Sequence, residues 1–268
     1  MSDQESIPLT VLSKTVWTPT LFSFTTTRPQ GFRFEAGQFV RLGVNPSQLI
    51  ANQNKQASNQ TVFRAYSIVS SPYDEFLEFF SVVVPEGEFT SQLQHLQPED
   101  ILHLNPTPFG FLTLTRFQEP APKELWLLAT GTGLAPFLSM LQDLQTWQNY
   151  TDIVLVFSVR TQRELAYLDK IKALSNEFGA LVDKPAHLSF VPIVTREQVE
   201  GVLGERLPML IANGALEDKV GLRLNANTSH VMLCGNPQMV EDTKEALKAR
   251  GLTMNRRGVG NIAVENYW

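Results

Sequence analysis

The stretch Leu125-Trp126-Leu127-Leu128-Ala129, followed by Thr130-Gly131-Thr132-Gly133-Leu134-Ala135-Pro136, decides the fold of this chain. Five consecutive apolar residues predict a strand that is buried on both faces, and the glycine turn opens a helix expected to reach about Leu144. Apolar strands are also predicted at 153–159, 187–194 and 230–234, and helices at 165–178 and 237–250. This alternation predicts a doubly wound parallel sheet that is covered by helices on both faces.

The preceding 118 residues have a different pattern. Six segments rich in β-branched and aromatic residues are separated by clusters of Gly, Pro and Asn, and we predict strands at 8–17, 21–26, 38–44, 64–70, 76–84 and 101–105. One short helix is predicted at 90–96, and the polar stretch 45–60 predicts a long exposed loop. Six strands with so little helix predict an antiparallel β-barrel.

The fold class is therefore a two-domain β + α/β protein. The predicted barrel domain spans residues 1–118, and the predicted α/β domain spans 119–268. The segment Glu119-Pro120-Ala121-Pro122-Lys123 has the composition of a linker at the beginning of the second domain.

Composition and charge exclude several classes of protein. A chain of 268 residues that is 43% hydrophobic can bury a core, which excludes a disordered or fibrous protein. A net charge of −5 argues against general nucleic-acid binding, and the apolar runs are too short to span a bilayer. One cysteine and four scattered histidines predict neither a disulfide nor a metal site. With no signal peptide at 1–5, we expect a cytoplasmic protein that depends on an organic cofactor.

The turn after the first apolar strand of the sheet suits a phosphate group. Gly131 and Gly133 allow close approach of the backbone, and the following helix offers unpaired N–H groups and the positive end of its dipole. Pro136 occupies the last position of the fingerprint G-x-G-x-x-G, and no lysine follows as in a P-loop. A tight turn without a ligand is therefore an alternative.

Arginines follow the second and third predicted strands of this sheet. Arg160 and Arg163 come after the second strand, and Arg196 and Arg206 come after the third. Ligands of open α/β sheets bind beyond the carboxyl ends of the strands, where converging guanidinium groups suit the 2′-phosphate that distinguishes NADP from NAD. We expect no acidic residue at the tip of the second strand, where a ribose diol would bind in an NAD site. Each arginine alone could be a solvated surface charge.

Four further segments carry candidate binding residues. Cys234-Gly235-Asn236-Pro237 ends the fourth strand of the sheet, where Asn236 can cap the next helix. Arg64-Ala65-Tyr66-Ser67 lies on a predicted barrel strand, Gly87-Glu88-Phe89-Thr90-Ser91 precedes the short helix, and Glu265-Asn266-Tyr267-Trp268 ends the sequence. Aromatic residues at a chain end suggest docking onto a flat group. Ordinary strand sequence, a helix cap and core packing are the alternatives.

Together these segments resemble the ferredoxin/flavodoxin–NADP⁺ reductase family, in its bacterial type that ends in Tyr-Trp, over almost the whole chain. The resemblance is carried, in family order, by Arg64-x-Tyr66-Ser67, Gly87-x-x-Thr90, Gly131-Thr132-Gly133-x-Ala135-Pro136, Cys234-Gly235-Asn236-Pro237 and Glu265-x-Tyr267. It implies a reductase with an FAD-binding barrel, an NADP-binding α/β domain and C-terminal residues that return to the flavin. We expect the protein to be a monomer.

The activity implied by the resemblance is electron transfer between NADPH and a one-electron carrier, either flavodoxin or ferredoxin. An NAD(P)H–flavin reductase or an oxygenase reductase component is the alternative enzyme, and a redox-sensing or scaffold module is the alternative outside enzymology. Small acidic carriers dock on basic patches, and Arg256-Arg257 is a local cluster that could serve in this acidic chain.

The resemblance also implies roles for single residues. Tyr66 and Tyr267 would cover the two faces of the flavin, Arg64 would pair with a flavin phosphate, and Trp268 would stack on the adenine. The residues expected to contact FAD are Arg64, Ala65, Tyr66, Ser67, Val84, Gly87, Phe89, Thr90, Thr132, Tyr267 and Trp268. Those expected to contact NADP(H) are Gly131, Thr132, Gly133, Arg160, Arg163, Arg196, Arg206, Cys234, Gly235 and Asn236. The residues expected at the hydride-transfer site are Ser67, Cys234, Glu265 and Tyr267.

Overall fold

A computed structural model describes residues 6–53, 56–117, 119 and 121–266. The first part of the chain forms six antiparallel strands, β1 (Ile7–Thr18), β2 (Leu21–Thr27), β3 (Phe39–Val44), β4 (Val62–Ser67), β5 (Phe76–Val82) and β6 (Ile101–Phe109). Their order is β4-β3-β6-β1-β2-β5, and the sheet closes where Ile68, just beyond β4, pairs with Phe79 of β5. The strand order and this closing bridge confirm the predicted antiparallel barrel.

The second part of the chain forms a parallel sheet of five strands. These are β7 (Glu124–Thr130), β8 (Asp152–Val159), β9 (His187–Val194), β10 (Ser229–Gly235) and β11 (Ile262–Asn266), arranged in the order β11-β10-β7-β8-β9. Because β8 and β10 lie on opposite sides of β7, the order reverses there, and ligands of such sheets bind where the reversal leaves a crevice.

Helices cover both faces of the parallel sheet, as predicted. After α1 (Thr90–Leu93) in the barrel part, these are α2 (Ala135–Leu141), α3 (Leu144–Asn149), α4 (Leu168–Gly179), α5 (Leu207–Ala212), α6 (Ala215–Val220) and α7 (Pro237–Ala249). One apolar core lies between the sheet and α2, α3 and α4, and a second lies between the sheet and α5, α6 and α7. Among the described helices, none has the length and apolar character to cross a membrane.

Several elements differ from the predictions. The helix expected to run to Leu144 is broken, because Asp143 accepts a hydrogen bond from the Gln145 N–H and so begins α3 as a separate helix. Strand β11 and helices α5 and α6 were not predicted, since each is too short to show a clear period. Helix α1 covers only the first four residues of its predicted range.

The prediction of an exposed loop at 45–60 was wrong for its first half. The segment folds into 3₁₀ turns at Pro46–Gln48 and Ile50–Asn52, and Leu49 between them is fully buried. The fully buried Asp100 holds it in place, because its carboxylate accepts a hydrogen bond of 2.6 Å from the Ile50 N–H. Residues 56–60 are mostly exposed.

Buried hydrogen bonds join the barrel to helix α2. The Ser139 hydroxyl donates to the Ser70 carbonyl, and the Gln142 side-chain amide donates to the Val69 carbonyl, both at 2.8 Å. The Ser71 hydroxyl in turn donates to the Gln142 carbonyl at 2.8 Å. Since these bonds are directional and shielded from water, they hold the barrel in one orientation against the end of α2.

Replacing Gln142 by Ala is expected to lower the free energy of unfolding by about 1–3 kcal/mol, because the buried Val69 carbonyl loses its donor. Urea unfolding of the variant and the parent chain measures the difference. The exposed Gln238→Ala change is the control and is expected to have a much smaller effect. Equal effects of the two substitutions would contradict this account of the interface.

Candidate active site

A cavity of about 430 Å³ lies where the barrel meets the carboxyl edge of the parallel sheet. Every described residue that the sequence analysis assigned to FAD lines it: Arg64, Ala65, Tyr66, Ser67, Val84, Gly87, Phe89, Thr90 and Thr132. Tyr267 and Trp268 lie outside the described residues. The cavity therefore brings together side chains from β4, from the segment after β5 and from the turn after β7.

Strand β4 forms one wall of the cavity. The Tyr66 ring packs against Phe89 with 5.5 Å between ring centroids, and the two hydroxyl oxygens of Tyr66 and Ser81 are 2.9 Å apart. Burial raises the pKa of the Tyr66 phenol, so this side chain stays neutral. Arg64 also lines the cavity and is an exposed residue, and its guanidinium group donates a hydrogen bond of 2.8 Å to the Phe63 carbonyl. The wall combines a fixed aromatic ring with a positive charge.

The turn between β5 and α1 is closed by a threonine. The Thr90 hydroxyl accepts a hydrogen bond of 3.0 Å from the Val84 N–H. A Cβ atom added to Gly87 would lie 3.1 Å from the Thr90 hydroxyl and 3.2 Å from the Val84 carbonyl, which is tighter than ordinary contact. The absence of a side chain at Gly87 therefore lets this turn fold closely beside the cavity.

Glu265 reaches the cavity from β11. Burial raises the pKa of its carboxyl group to about 7, and a hydrogen bond with Ser67 opposes the shift. Its Oε1 atom has no hydrogen-bond partner among the described residues. A carboxyl group with this pKa can hold or release a proton near neutral pH, beside the Ser67 hydroxyl.

Cys234 is paired in register with Glu265, but it is fully buried and does not line the cavity. The sequence analysis placed both residues at one reaction site. The structure makes them neighbours across two parallel strands and leaves only the carboxyl group facing the cavity.

The carboxyl ends of β7 and β10 are in close backbone contact. A Cβ atom on Gly133 would lie 2.3 Å from the Cys234 carbonyl, and one on Gly235 would lie 2.2 Å from the Thr130 hydroxyl. The Asn236 N–H donates to that hydroxyl at 3.1 Å. At Gly131, by contrast, an added Cβ would meet no atom within 4 Å. Two of the glycines are thus required by packing, and Gly131 faces open space at the crevice.

The candidate phosphate arginines lie at the carboxyl ends of β8 and β9. Arg160, Arg163, Arg196 and Arg206 are all exposed, and none of them forms an ion pair with another described residue. The Arg196 N–H donates to the Arg160 carbonyl at 2.8 Å, so these two residues are direct neighbours. Arg163 lies in the 3₁₀ turn Gln162–Glu164, and Arg206 precedes α5.

The expectation that no acidic residue stands at the tip of β8 was wrong. The Glu164 carboxylate accepts a hydrogen bond of 2.9 Å from the Arg160 N–H, and the Glu197 carboxylate accepts one of 2.7 Å from the Gln162 N–H. Glu164 could have been found from the capping box that it forms with Thr161. Glu197 follows the end of β9, far away in sequence, and no local pattern indicates it.

Comparison with known proteins identifies the family. Residues 127–245 match the family described as an oxidoreductase NAD-binding domain. The chain is 41% identical to a ferredoxin–NADP reductase of Pseudomonas aeruginosa, with 92% of this chain and 91% of the relative covered. It is 39% identical to a flavodoxin/ferredoxin–NADP reductase of Escherichia coli, with 94% of each covered. The chain belongs to the flavodoxin/ferredoxin–NADP reductase family.

A solved structure agrees with this assignment over the full fold. The chain has 34% sequence identity and a TM-score of 0.85 to a ferredoxin NADP⁺ reductase from Neisseria gonorrhoeae with bound FAD and NADP, and 98% of each chain is covered. The resemblance stated from the motifs is thereby confirmed.

Several residues of this family member that face the cavity were missed by the sequence reasoning. They are Phe39, Phe80, Ser81, Val82, Glu88 and Asn266. Alternation along β5 indicates which side chains share a face, but it does not indicate which face a cavity occupies.

A second and more open cavity, of about 750 Å³, shares Phe39 and Glu265 with the first and is also lined by Arg41, Phe109 and Phe111.

The Glu265 carboxyl group predicts a pH dependence of stability. Its folded pKa of about 7 is above the usual value of 4.5, so the folded state binds the proton more tightly than the unfolded chain. The contribution of the Glu265 carboxyl group to the free energy of unfolding is fully present below about pH 4.5 and is lost as the pH rises through 7. Glu265→Gln, which cannot ionise, is expected to raise the free energy of unfolding by about 1–3 kcal/mol at pH 8 and much less at pH 5.

Urea unfolding at the two pH values measures this difference. The Glu177→Gln change is the control, because it makes the same substitution at an exposed position on α4. A change of the same size at pH 5 and pH 8 for Glu265→Gln would mean that ionisation of this carboxyl group is not its cause.

Proposed function

We propose that this protein is an FAD-dependent reductase that transfers electrons between NADPH and a one-electron carrier, flavodoxin or ferredoxin. The observation that carries the proposal is the cavity at the junction of the barrel and the sheet, where Tyr66, Ser67 and Glu265 meet next to the crevice between β7 and β10. The Neisseria relative with bound FAD and NADP has the same fold over its whole length and supports the choice of cofactors.

The residues of the barrel fit FAD. The cavity offers an aromatic ring at Tyr66, an exposed guanidinium group at Arg64, and a turn at Gly87 whose close approach a side chain would prevent. We propose that residues 1–118 hold FAD with Arg64, Ala65, Tyr66, Ser67, Val84, Gly87, Phe89 and Thr90, together with Thr132 from the second domain. The roles of Tyr267 and Trp268 at the flavin remain predictions from the sequence.

The residues of the sheet fit NADP(H). The crevice has open space at Gly131, an exposed Asn236 and two neighbouring arginines. We propose that residues 119–268 bind the dinucleotide with Gly131, Thr132, Gly133, Gly235 and Asn236, and that Arg160, Arg163, Arg196 and Arg206 hold its 2′-phosphate. Because the Cys234 side chain is buried, we propose that this residue contributes to the dinucleotide site only through its backbone at the end of β10.

The flavin, when bound, supplies the conversion between the two-electron chemistry of a hydride and the one-electron chemistry of the carrier. This chain's own residues place the reactants, exclude water and handle the proton. Phe80 and Val82 make the wall apolar, and Tyr66 presents a neutral ring. Glu265 holds a proton near neutral pH, and Ser67 is hydrogen-bonded to it, so the pair can pass a proton at the cavity wall.

A basic and aromatic surface lies beside the second cavity and fits an acidic carrier. Phe111 is 79% exposed, and the Arg116 guanidinium group lies 5.9 Å from its ring centroid. Arg116 also donates to the Asn255 carbonyl at 3.4 Å, which joins it to exposed Arg256 and Arg257. The overall charge of −5 therefore does not prevent carrier docking at this local surface.

NADPH-dependent reduction of purified flavodoxin, purified ferredoxin and free FMN tests the proposed activity. We expect a protein carrier to be reduced with a higher kcat/KM than FMN, and its KM to rise with ionic strength because docking is electrostatic. Faster reduction of FMN than of either carrier would favour a free-flavin reductase. A purified protein that binds no flavin would favour a role outside catalysis.

Choice of NADPH over NADH is expected to depend on the arginines. Arg160→Ala and Arg196→Ala should each lower kcat/KM for NADPH by about 10- to 100-fold, since charge-assisted phosphate bonds are lost, and should change kcat/KM for NADH little. Steady-state kinetics with both dinucleotides measures the effect. Arg223→Ala removes an exposed arginine that pairs with Asp218 and serves as the control. Equal losses with NADPH and NADH would show that these arginines do not recognise the phosphate.

A cytoplasmic location and a monomeric state remain predictions from the sequence. They are compatible with a reductase that meets diffusing carriers.

A further inference from the structure

Tyr167 joins the parallel sheet domain to the barrel. It lies at the start of α4, is only 4% exposed, and its hydroxyl donates a hydrogen bond of 2.8 Å to Oε1 of Glu78 on β5. The other oxygen of the same carboxylate lies 3.2 Å from the Lys170 ammonium nitrogen, one turn further along α4. Both contacts connect the first turn of this helix to a single barrel side chain.

The Tyr167 ring extends this connection to the wall of the cavity. It packs against Trp17 of β1 at 4.9 Å between centroids and meets Phe80 edge-on at 5.1 Å. Phe80 lines the cavity, and the next residue, Ser81, lies within hydrogen-bond distance of the Tyr66 hydroxyl. A continuous set of contacts therefore runs from α4 to the ring proposed to face the flavin, although Tyr167 itself does not line the cavity.

The backbone of Tyr167 is strained. Its φ of 63° and ψ of 15° lie in the left-handed region, which residues other than glycine rarely adopt. This conformation turns the chain between the 3₁₀ turn Gln162–Glu164 and α4, and it explains why the helix predicted from residue 165 begins at Leu168. A strained conformation at a buried position persists only where the surrounding contacts determine it.

The Tyr167 contact differs from those of Ser139 and Gln142 in the part of the barrel that it reaches. The bonds of Ser139 and Gln142 end on backbone at 69–70, which does not line the cavity. Tyr167 ends on the strand whose residues 80–82 form the cavity wall. Along the chain, only a few residues separate Tyr167 from Arg160 and Arg163, which we assign to the 2′-phosphate. Tyr167 thus lies between the two proposed cofactor sites.

We propose that Tyr167, held by Glu78 and Lys170, is a positioning residue that fixes the loop after β8 relative to the flavin wall on β5 and so sets the geometry of hydride transfer. The inference rests on the proposed function. Because Tyr167 lines neither cofactor site itself, its loss should slow the chemical step and leave the affinity for the dinucleotide unchanged. Effective transfer depends on small differences in the separation of the reacting atoms.

Rapid mixing of the FAD-loaded protein with saturating NADPH tests the proposal through the rate of flavin reduction. For Tyr167→Phe we expect a fall of about 5- to 20-fold, with the dissociation constant for NADP⁺ within about twofold of the parent value. Glu78→Gln weakens the same contact from the barrel side and should reproduce the effect. The double variant should be less slow than the product of the two single effects, because both substitutions weaken the hydrogen bond between Tyr167 and Glu78.

Tyr150→Phe is the matched control. It removes another buried tyrosine hydroxyl of the same domain, one that lies 3.0 Å from Nδ1 of His230, a residue of β10. Its flavin reduction rate should equal that of the parent protein. Hydrogen exchange of the cofactor-free chain gives a readout that does not depend on activity. Tyr167→Phe should speed amide exchange both in the first turn of α4 and at 78–82 in β5, and Tyr150→Phe should do neither.

A slowed flavin reduction at unchanged NADP⁺ affinity, shared by Tyr167→Phe and Glu78→Gln, supports the proposal. An unchanged rate, a parallel loss of affinity, or the same loss in Tyr150→Phe overturns it. Faster exchange in α4 alone would also overturn it, because the two segments would then not be coupled. If the parent protein itself shows no NADPH-dependent flavin reduction, the proposed function fails first, and that outcome is distinct from a variant that behaves like an active parent.

Discussion

The close backbone contact between the ends of β7 and β10 is the constraint on which the rest of the site depends. Neither Gly133 nor Gly235 has room for a side chain, because each would carry its Cβ into the other strand's carboxyl end. This contact puts the turn after β7 against β10 and leaves Gly131 open at the crevice. Strand β11 pairs beside β10 and brings Glu265 to the same place. One packing condition thus places the proposed dinucleotide crevice and the acidic group of the cavity together.

The site also requires that the barrel keep a constant position against the parallel-sheet domain. The contacts that contribute to it include the buried hydrogen bonds of Ser139 and Gln142 at the end of α2 and the contact of Tyr167 with Glu78. Both use directional polar bonds shielded from water, which lose more free energy when displaced than apolar packing alone would. Hydride transfer is sensitive to distance, so a reductase with its two cofactors on separate domains needs such an interface.

Much of this architecture could be predicted from local pattern. The apolar run Leu125–Ala129 and its glycine turn indicated the central strand and the crevice, and the motifs around Arg64 and Gly87 pointed to residues that do line one cavity. Other features had no local signal. The Glu197 carboxylate accepts a hydrogen bond from the Gln162 N–H, although the two residues follow different strands. The Tyr167 hydroxyl donates a hydrogen bond to Glu78, on a strand of the other domain. Short elements such as β11 have too few residues to show a period.

The sequence by itself determined the two fold types, the family and the residue types available for two cofactors, because periodicity and glycine motifs are properties of neighbouring positions. Only the tertiary structure decided which of those residues face a common space. It buried Cys234 while leaving Glu265 partly in the cavity, and it set carboxylates among the arginines at the tips of β8 and β9. The physical reason is that burial, pKa and side-chain partners depend on contacts between segments far apart in the chain, which no local pattern records.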